Sequence, residues 1–133
     1  MPKVHGKGTF VSLGGSDLSQ YGSNMEFERT SDAHDVTTYG NDAHRKFGGL
    51  LDGTSTISGF YDSTAGTGPR AVIEPKLGTV VALVHRPEGT GAGRPQDTVQ
   101  ALVTSYTESS PVADMVTWEC EVEFDGDVIS VTQ

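Results

Sequence analysis

The sequence predicts a mainly β, antiparallel, sandwich- or barrel-like single domain over residues 1–133, with one short flanking helix and a long loop. Three observations lead there. Seventeen glycines and six prolines require many turns and leave little room for long helices. Apolar residues recur with a period of two in several segments bounded by Gly, Pro, Asn and Asp. A chain of 133 residues with 35% hydrophobic content suffices for one buried core, and nothing in it calls for a second.

Thr9 to Leu13 reads as the first strand, closed by a turn at Gly14-Gly15-Ser16-Asp17, with Leu18 to Tyr21 beginning the return. Met25 to Arg29 alternates Met25 and Phe27 with Glu26 and Glu28, as a half-buried strand does. Asp35 to Tyr39 is short and β-branched, hence a further strand. Gly40 to Gly53 has no period. It holds four glycines, the basic run His44, Arg45 and Lys46, and the apolar Phe47, Leu50 and Leu51. A long loop of that mixture suits either a contact arm or a plain surface loop. Thr54 to Asp62 resumes strand character.

Ser63 to Gly68 reads as a turn, and Pro69 to Glu74 as the helix, since Pro69 fits a first helical position and Pro75 limits the length. Thr79 to Arg86 is apolar on both alternations, which predicts cover on both faces. It should pair with Thr98 to Thr107 across the Gly-rich loop Pro87 to Pro95, which reads as a flexible hairpin connection. The clearest pattern is Met115 to Phe124. Trp118, Cys120, Val122 and Phe124 share one face, and Glu119, Glu121 and Glu123 the other, spaced about 7 Å apart at the rise of a strand. A turn at Asp125-Gly126-Asp127 then leads to Val128 to Val131 as the partner of a last hairpin.

Charge narrows the function. The formal net charge is −9, and from Glu108 to the C-terminus there are seven acids and no Lys or Arg. Specific phosphate binding needs clustered cations, so free nucleic acid is an unsuitable partner. The single cysteine, Cys120, allows no intrachain disulfide, and its apolar row marks it as a buried thiol. The opening residues Met1 to His5 lack the apolar run of a secretory signal. No apolar run approaches a membrane span, so no membrane anchor is expected.

Catalytic signatures are missing. There is no Gly-x-Ser-x-Gly elbow and no Walker A motif; Gly89-Thr90-Gly91-Ala92-Gly93 lacks the Lys and Ser/Thr that should follow. His34, Asp35 and His44 match no zinc spacing. The three glutamates of one strand face repel one another and have no general-acid partner. No catalytic residue, metal or cofactor is expected.

Several segments together resemble the major tail (tail tube) proteins of long-tailed phages, especially those of actinobacteria. They are Val4-His5-Gly6-Lys7, Asp35-Val36-Thr37-Thr38-Tyr39-Gly40, Lys46 to Gly53 with the strand Thr54 to Asp62, and Pro111 to Trp118. The resemblance covers most of the chain and implies a β-sandwich or barrel-like subunit. Six such subunits form a ring, and rings stack into a hollow tube through which DNA passes without specific binding. It also implies partners: further copies of the chain, and tip or initiator, terminator and tape-measure proteins. The location implied is the virion tail, after synthesis in the host cytoplasm.

The resemblance makes Tyr39 to Gly53 an inter-subunit arm, with Tyr39, His44, Arg45, Lys46, Phe47, Leu50 and Leu51 as ring-stacking candidates. An acidic lumen repels phosphate and lets DNA slide, so Glu119, Glu121, Glu123, Glu26 and Glu28 are lumen-lining candidates, an outer solvated face being the other reading. A capsid decoration or head–tail connector protein, or a small β-sandwich binding module, is the alternative function. Trp118 falls on the apolar alternation, which argues against an exposed aromatic binding platform.

Overall fold

A computed structural model describes residues 3–62 and 68–133. In chain order, a 3-10 turn at Gly6–Gly8 precedes β1 (Phe10–Leu13), β2 (Ser16–Asp17), β3 (Gly22–Asp35) and β4 (Lys46–Phe60). The helix α1 (Pro69–Ile73) runs into a 3-10 turn at Glu74–Lys76. Then come β5 (Val80–Arg86), β6 (Pro95–Ser109), β7 (Thr117–Phe124) and β8 (Ile129–Thr132). Ser63 to Thr67 of the expected turn lie outside the described residues.

Among the described residues the strands form one eight-stranded antiparallel sheet, in the order β2-β1-β5-β6-β7-β4-β3, with β8 also on β6. Of the sandwich and barrel forms the sequence leaves open, the chain takes the barrel-like one. The sheet curls until Phe27 of β3 stacks on His85 of β5, ring centroids 5.0 Å apart, although three strands separate them in the ladder. The curl encloses one core of Val11, Leu13, Leu18, Ile57, Leu83, Val99, Ala101, Val103, Trp118, Cys120 and Val122, with Val72 and Ile73 of α1 packed into it. Twist and curl replace a second sheet as the cover for the inner face.

Two glycines of β4 permit this closure. A Cβ on Gly59 would lie 1.9 Å from the Tyr21 carbonyl oxygen, and one on Gly53 would lie 2.5 Å from the Phe124 ring. Their bare backbones let Phe124 and the Tyr21 turn settle directly on the strand. The indole Nε1 of Trp118 donates to that same Tyr21 carbonyl at 3.3 Å.

The structure corrects several expectations. Asp35 to Tyr39 is not a strand beyond Asp35, and Gly40 to Gly53 is not irregular throughout. Lys46 to Gly53 continues β4 and pairs with β3, so the connection is Val36 to Arg45 alone. Leu18 to Tyr21 is a turn instead of a return strand: β2 is only two residues long, and Leu18 folds inward to full burial. The last hairpin is also absent. Asp97 and Thr98 of β6 pair with β5 on one flank and β8 on the other, where β7 pairs further along. Thus β8 prolongs β7 in the same direction, after a break at residues 125–128.

Strand β5 pairs with β6 as expected, but only Leu83 is buried on it. Val80 is 46% exposed, because no second layer covers its outer row. The Pro87 to Pro95 loop is tied down by the Gln133 side chain. That side chain accepts from Gly91 N (3.2 Å) and donates to Gly89 O (2.9 Å) and Pro95 O (3.2 Å).

Candidate functional site

Strand register decides which side chains meet. Glu26 of β3 pairs with Thr56 of β4, and Thr56 with Glu121 of β7; Glu28 pairs with Thr54, and Thr54 with Glu123. Asn24, Ser58 and Glu119 make a third row of the same kind. All five glutamates singled out in the sequence therefore share the outer face of β3, β4 and β7, opposite the core. Ser105 and Thr107 of β6 extend two of these rows. The β4 hydroxyl residues were not recognised beforehand. Their signal was present in the alternation of Thr54, Thr56 and Ser58 with Ser55, Ile57 and Gly59.

This spacer strand is what makes the face physically tolerable. Like charges directly opposite one another destabilise a sheet. Here each carboxylate of β3 is separated from its β7 counterpart by a full strand, close to 10 Å at ordinary inter-strand spacing. The five side chains reach water, and among the described residues none has an ion-pair partner. The result is a field of one sign over hydroxyl-bearing rows, with no cation to hold a phosphate.

The second feature is an arm. β7 accompanies β4 only between Thr54 and Phe60. Beyond Gly53, β3 and β4 pair with each other alone and project as a two-stranded ribbon, about 25 Å long at the usual rise per residue. Every residue from Glu28 to Asp52 is exposed. Phe47, Leu50 and Leu51 are 69%, 81% and 70% exposed. A register shift between Ser31 and Ala33 breaks the alternation there.

The connecting loop is organised by Asp35. Its carboxylate accepts from the backbone N–H of Thr37 (2.9 Å) and from the Thr37 hydroxyl, and His44 Nδ1 lies 3.2 Å from its other oxygen. The Thr37 bonds hold the Asp35 carboxyl below the usual carboxylate range. Thr37 Oγ1 in turn accepts from Arg45 N at 2.9 Å. His44, Arg45, Lys46 and Tyr39 thus sit around the loop at the ribbon's tip, while Phe47, Leu50 and Leu51 lie along the ribbon. The sequence-predicted arm residues are brought together in one projection, at the opposite end of β4 from Phe60.

At the arm's root, Arg29 Nη1 lies 3.2 Å from Ser130 Oγ and 3.9 Å from Asp97 Oδ1, and Ser130 Oγ donates to Asp97 at 2.6 Å. His85 Nδ1 stands 3.7 Å from Asp97 Oδ2, beyond hydrogen-bond distance. Burial lowers the His85 pKa despite the neighbouring carboxylate. Cys120 is fully buried as expected, and burial pushes its thiol up to about 12. No described helix is long and apolar enough to cross a membrane.

No protein-family model matches the sequence, and no curated protein matches it. Solved structures do. The chain is similar to one in the tail of an empty GTA (gene transfer agent) particle with C6 symmetry: TM-score 0.78, 16% identity, covering 98% of this chain and 100% of that one. It is similar to the SPP1 tail tube at TM-score 0.78 and 11% identity, over 98% of this chain and 80% of that one. A chain in the sheath/tube terminator structure of the extracellular contractile injection system PVC matches at TM-score 0.76 and 16% identity, over 99% of each. At such identities the likeness is one of fold, and it extends over the whole chain.

Proposed function

We propose that this protein is the structural subunit of a phage-type tail tube: a non-enzymatic chain that assembles with copies of itself into stacked rings around a channel for DNA. The observation that carries the reading is the pairing of a shared tail-tube fold with a 25-residue segment, Glu28 to Asp52, exposed throughout in the isolated chain. A ribbon that keeps Phe47, Leu50 and Leu51 in water is costly unless a partner covers them. The C6 symmetry of the similar GTA tail supports six subunits to a ring.

The five-glutamate face suits the channel wall. Glu26, Glu28, Glu119, Glu121 and Glu123 present negative charge without a counter-cation, so a DNA backbone passing them is repelled and never captured. In the assembled particle Tyr39, His44, Arg45, Lys46, Phe47, Leu50 and Leu51 make the contact between rings. Tip, terminator and tape-measure proteins are the remaining partners, and the virion tail is the location.

Negative-stain electron microscopy of concentrated protein tests the reading. Rings or hollow tubes with a central channel are expected. A population that stays monomeric at every concentration, and also when offered preformed tube ends, would discard it.

A further inference from the structure

Arg29 ties the ribbon to the barrel at a single rung. It pairs with Gly53, next to the point where β7 stops accompanying β4. Among the described residues, no side-chain hydrogen bond or ion pair joins residues 30–52 to the barrel outside β3 and β4. Arg29 does make such a tie: its Nη1 reaches Ser130 of β8 at 3.2 Å and stands 3.9 Å from Asp97 of β6. The same guanidinium lies over Phe27, 5.6 Å from the ring centroid, and Phe27 stacks on His85 of β5.

Asp97 is the hub of the cluster, and only one of its oxygens is well used. Its Oδ1 accepts from the Ser130 hydroxyl at 2.6 Å. Its Oδ2 faces His85 Nδ1 across 3.7 Å, too far for a hydrogen bond, and that nitrogen is buried with no other partner. An unpaired buried polar atom is costly, and a charge-assisted bond is the strongest way to pair it. A proton on the imidazole makes Nδ1–H a cationic donor directly opposite a carboxylate oxygen. A cavity of about 510 Å³, lined by His85 with Asn24, His5 and Lys7 among others, opens beside the ring.

Few charged groups surround this ring. Asp97 faces it from β6 and Arg29 approaches from β3, while His5 and Lys7 of the N-terminal segment line the cavity beside it. Of the other neighbours, β7 brings Phe124 against Phe27, and β8 brings Ser130, neither of them charged. Burial keeps the proton off His85, Asp97 favours it, and Arg29 opposes it. Such coupling is reciprocal: because Arg29 disfavours the proton, the proton disfavours Arg29 at its site.

We propose that Arg29, Ser130, Asp97 and His85 form a proton-operated latch at the root of the arm. With His85 neutral, Arg29 is held on Ser130 and Asp97, and the ribbon is anchored. With His85 protonated, Asp97 turns to Nδ1, Arg29 is released, and the ribbon gains freedom about the Arg29–Gly53 rung. The latch belongs to the single chain, so it is tested without assembly and independently of the tube reading.

Nuclear magnetic resonance of the full chain, titrated from pH 7.5 down to the onset of acid unfolding, tests it. Cross-peaks between Arg29 and Ser130 side-chain protons should be lost, and the Arg29 Nε–H signal should shift, at the midpoint of the His85 ring signals. The 15N relaxation of the ribbon amides should show added motion at the same midpoint. His85→Phe, which retains a ring to stack on Phe27, should abolish all three changes, and His5→Asn should leave them intact. Arg29→Met should move the His85 midpoint up, and Asp97→Asn should move it down.

An Arg29 that stays on Ser130 while His85 titrates overturns the latch. So does a His85 midpoint unmoved in Arg29→Met, or a His85 that takes no proton before the chain unfolds. Ribbon amides that keep their order after Arg29 lets go overturn it equally. The Arg29 side chain is 54% exposed, so Arg29→Met keeps the test decisive even where Asp97→Asn fails to fold.

Discussion

Strand β4 passes through two environments. From Gly53 to Gly59 every second residue is buried, and from Lys46 to Asp52 none is. Both halves pair antiparallel with β3, the ribbon half across one register shift between Ser31 and Ala33. Burial, not the backbone ladder, separates them, because a ladder bond exchanged for water contributes little net free energy while apolar burial contributes much. The root half should therefore govern whether the chain folds, and the ribbon half whether folded chains associate.

Trp118→Ala is the harshest test of that division. It opens a cavity under β4 and removes the bond to the Tyr21 carbonyl, for an expected loss of about 3–5 kcal/mol in urea unfolding. A loss below ~1 kcal/mol would mean that the root is not the seat of stability. Next comes Gly59→Ala, whose Cβ meets backbone at 1.9 Å. Forcing the Tyr21 turn away should cost about 1–3 kcal/mol, whereas Gly40→Ala, with open space around its Cβ, should alter only the loop's own turn.

A smaller effect is expected at the junction of the two halves. Because burial lowers the folded-state His85 pKa below 6.5, the unfolded chain binds the proton more readily. Stability is then complete above pH 6.5 and declines as the pH falls toward the folded-state value. The melting temperature should be lower at pH 5.5 than at pH 7.5, and His85→Phe should reduce that difference. An identical slope in the variant would assign the dependence to other groups.

The smallest change in monomer stability belongs to the ribbon. Phe47→Asp and Leu50→Asp should each shift it by no more than about 0.5 kcal/mol while abolishing association. Unimpaired tube formation by both would remove the arm from the assembly.

The same division explains what the sequence revealed. β7 was legible because one row faces the core and the other faces water, so Trp118, Cys120 and Val122 alternate cleanly with the glutamates. The β5–β6 pairing and the helix at Pro69 were legible for similar local reasons. The ribbon half of β4 was not: with neither face buried, no alternation is imposed on it, and the shift near Ser31 scrambles what remains. Each glutamate could be singled out from sequence, but their convergence depends on β4 lying between β3 and β7, a long-range pairing that no local pattern encodes. The continuation of β7 into β8 was hidden because Asp125-Gly126-Asp127 has the composition of a reversing turn and serves here as a break between two collinear strands.

The lone thiol of Cys120 offers a different use of the core. With its pKa raised to about 12 and no solvent access, it is almost free of thiolate at neutral pH and shielded from reagent while the chain is closed. A disulfide reagent will therefore label it only during transient opening, one label per molecule. When closing is faster than labelling, the observed rate is the opening equilibrium multiplied by the rate for an exposed thiol. A single residue thus acts as a clock for local unfolding. Read in free chains and again in assembled particles, it reports how far association shifts the opening equilibrium of each subunit.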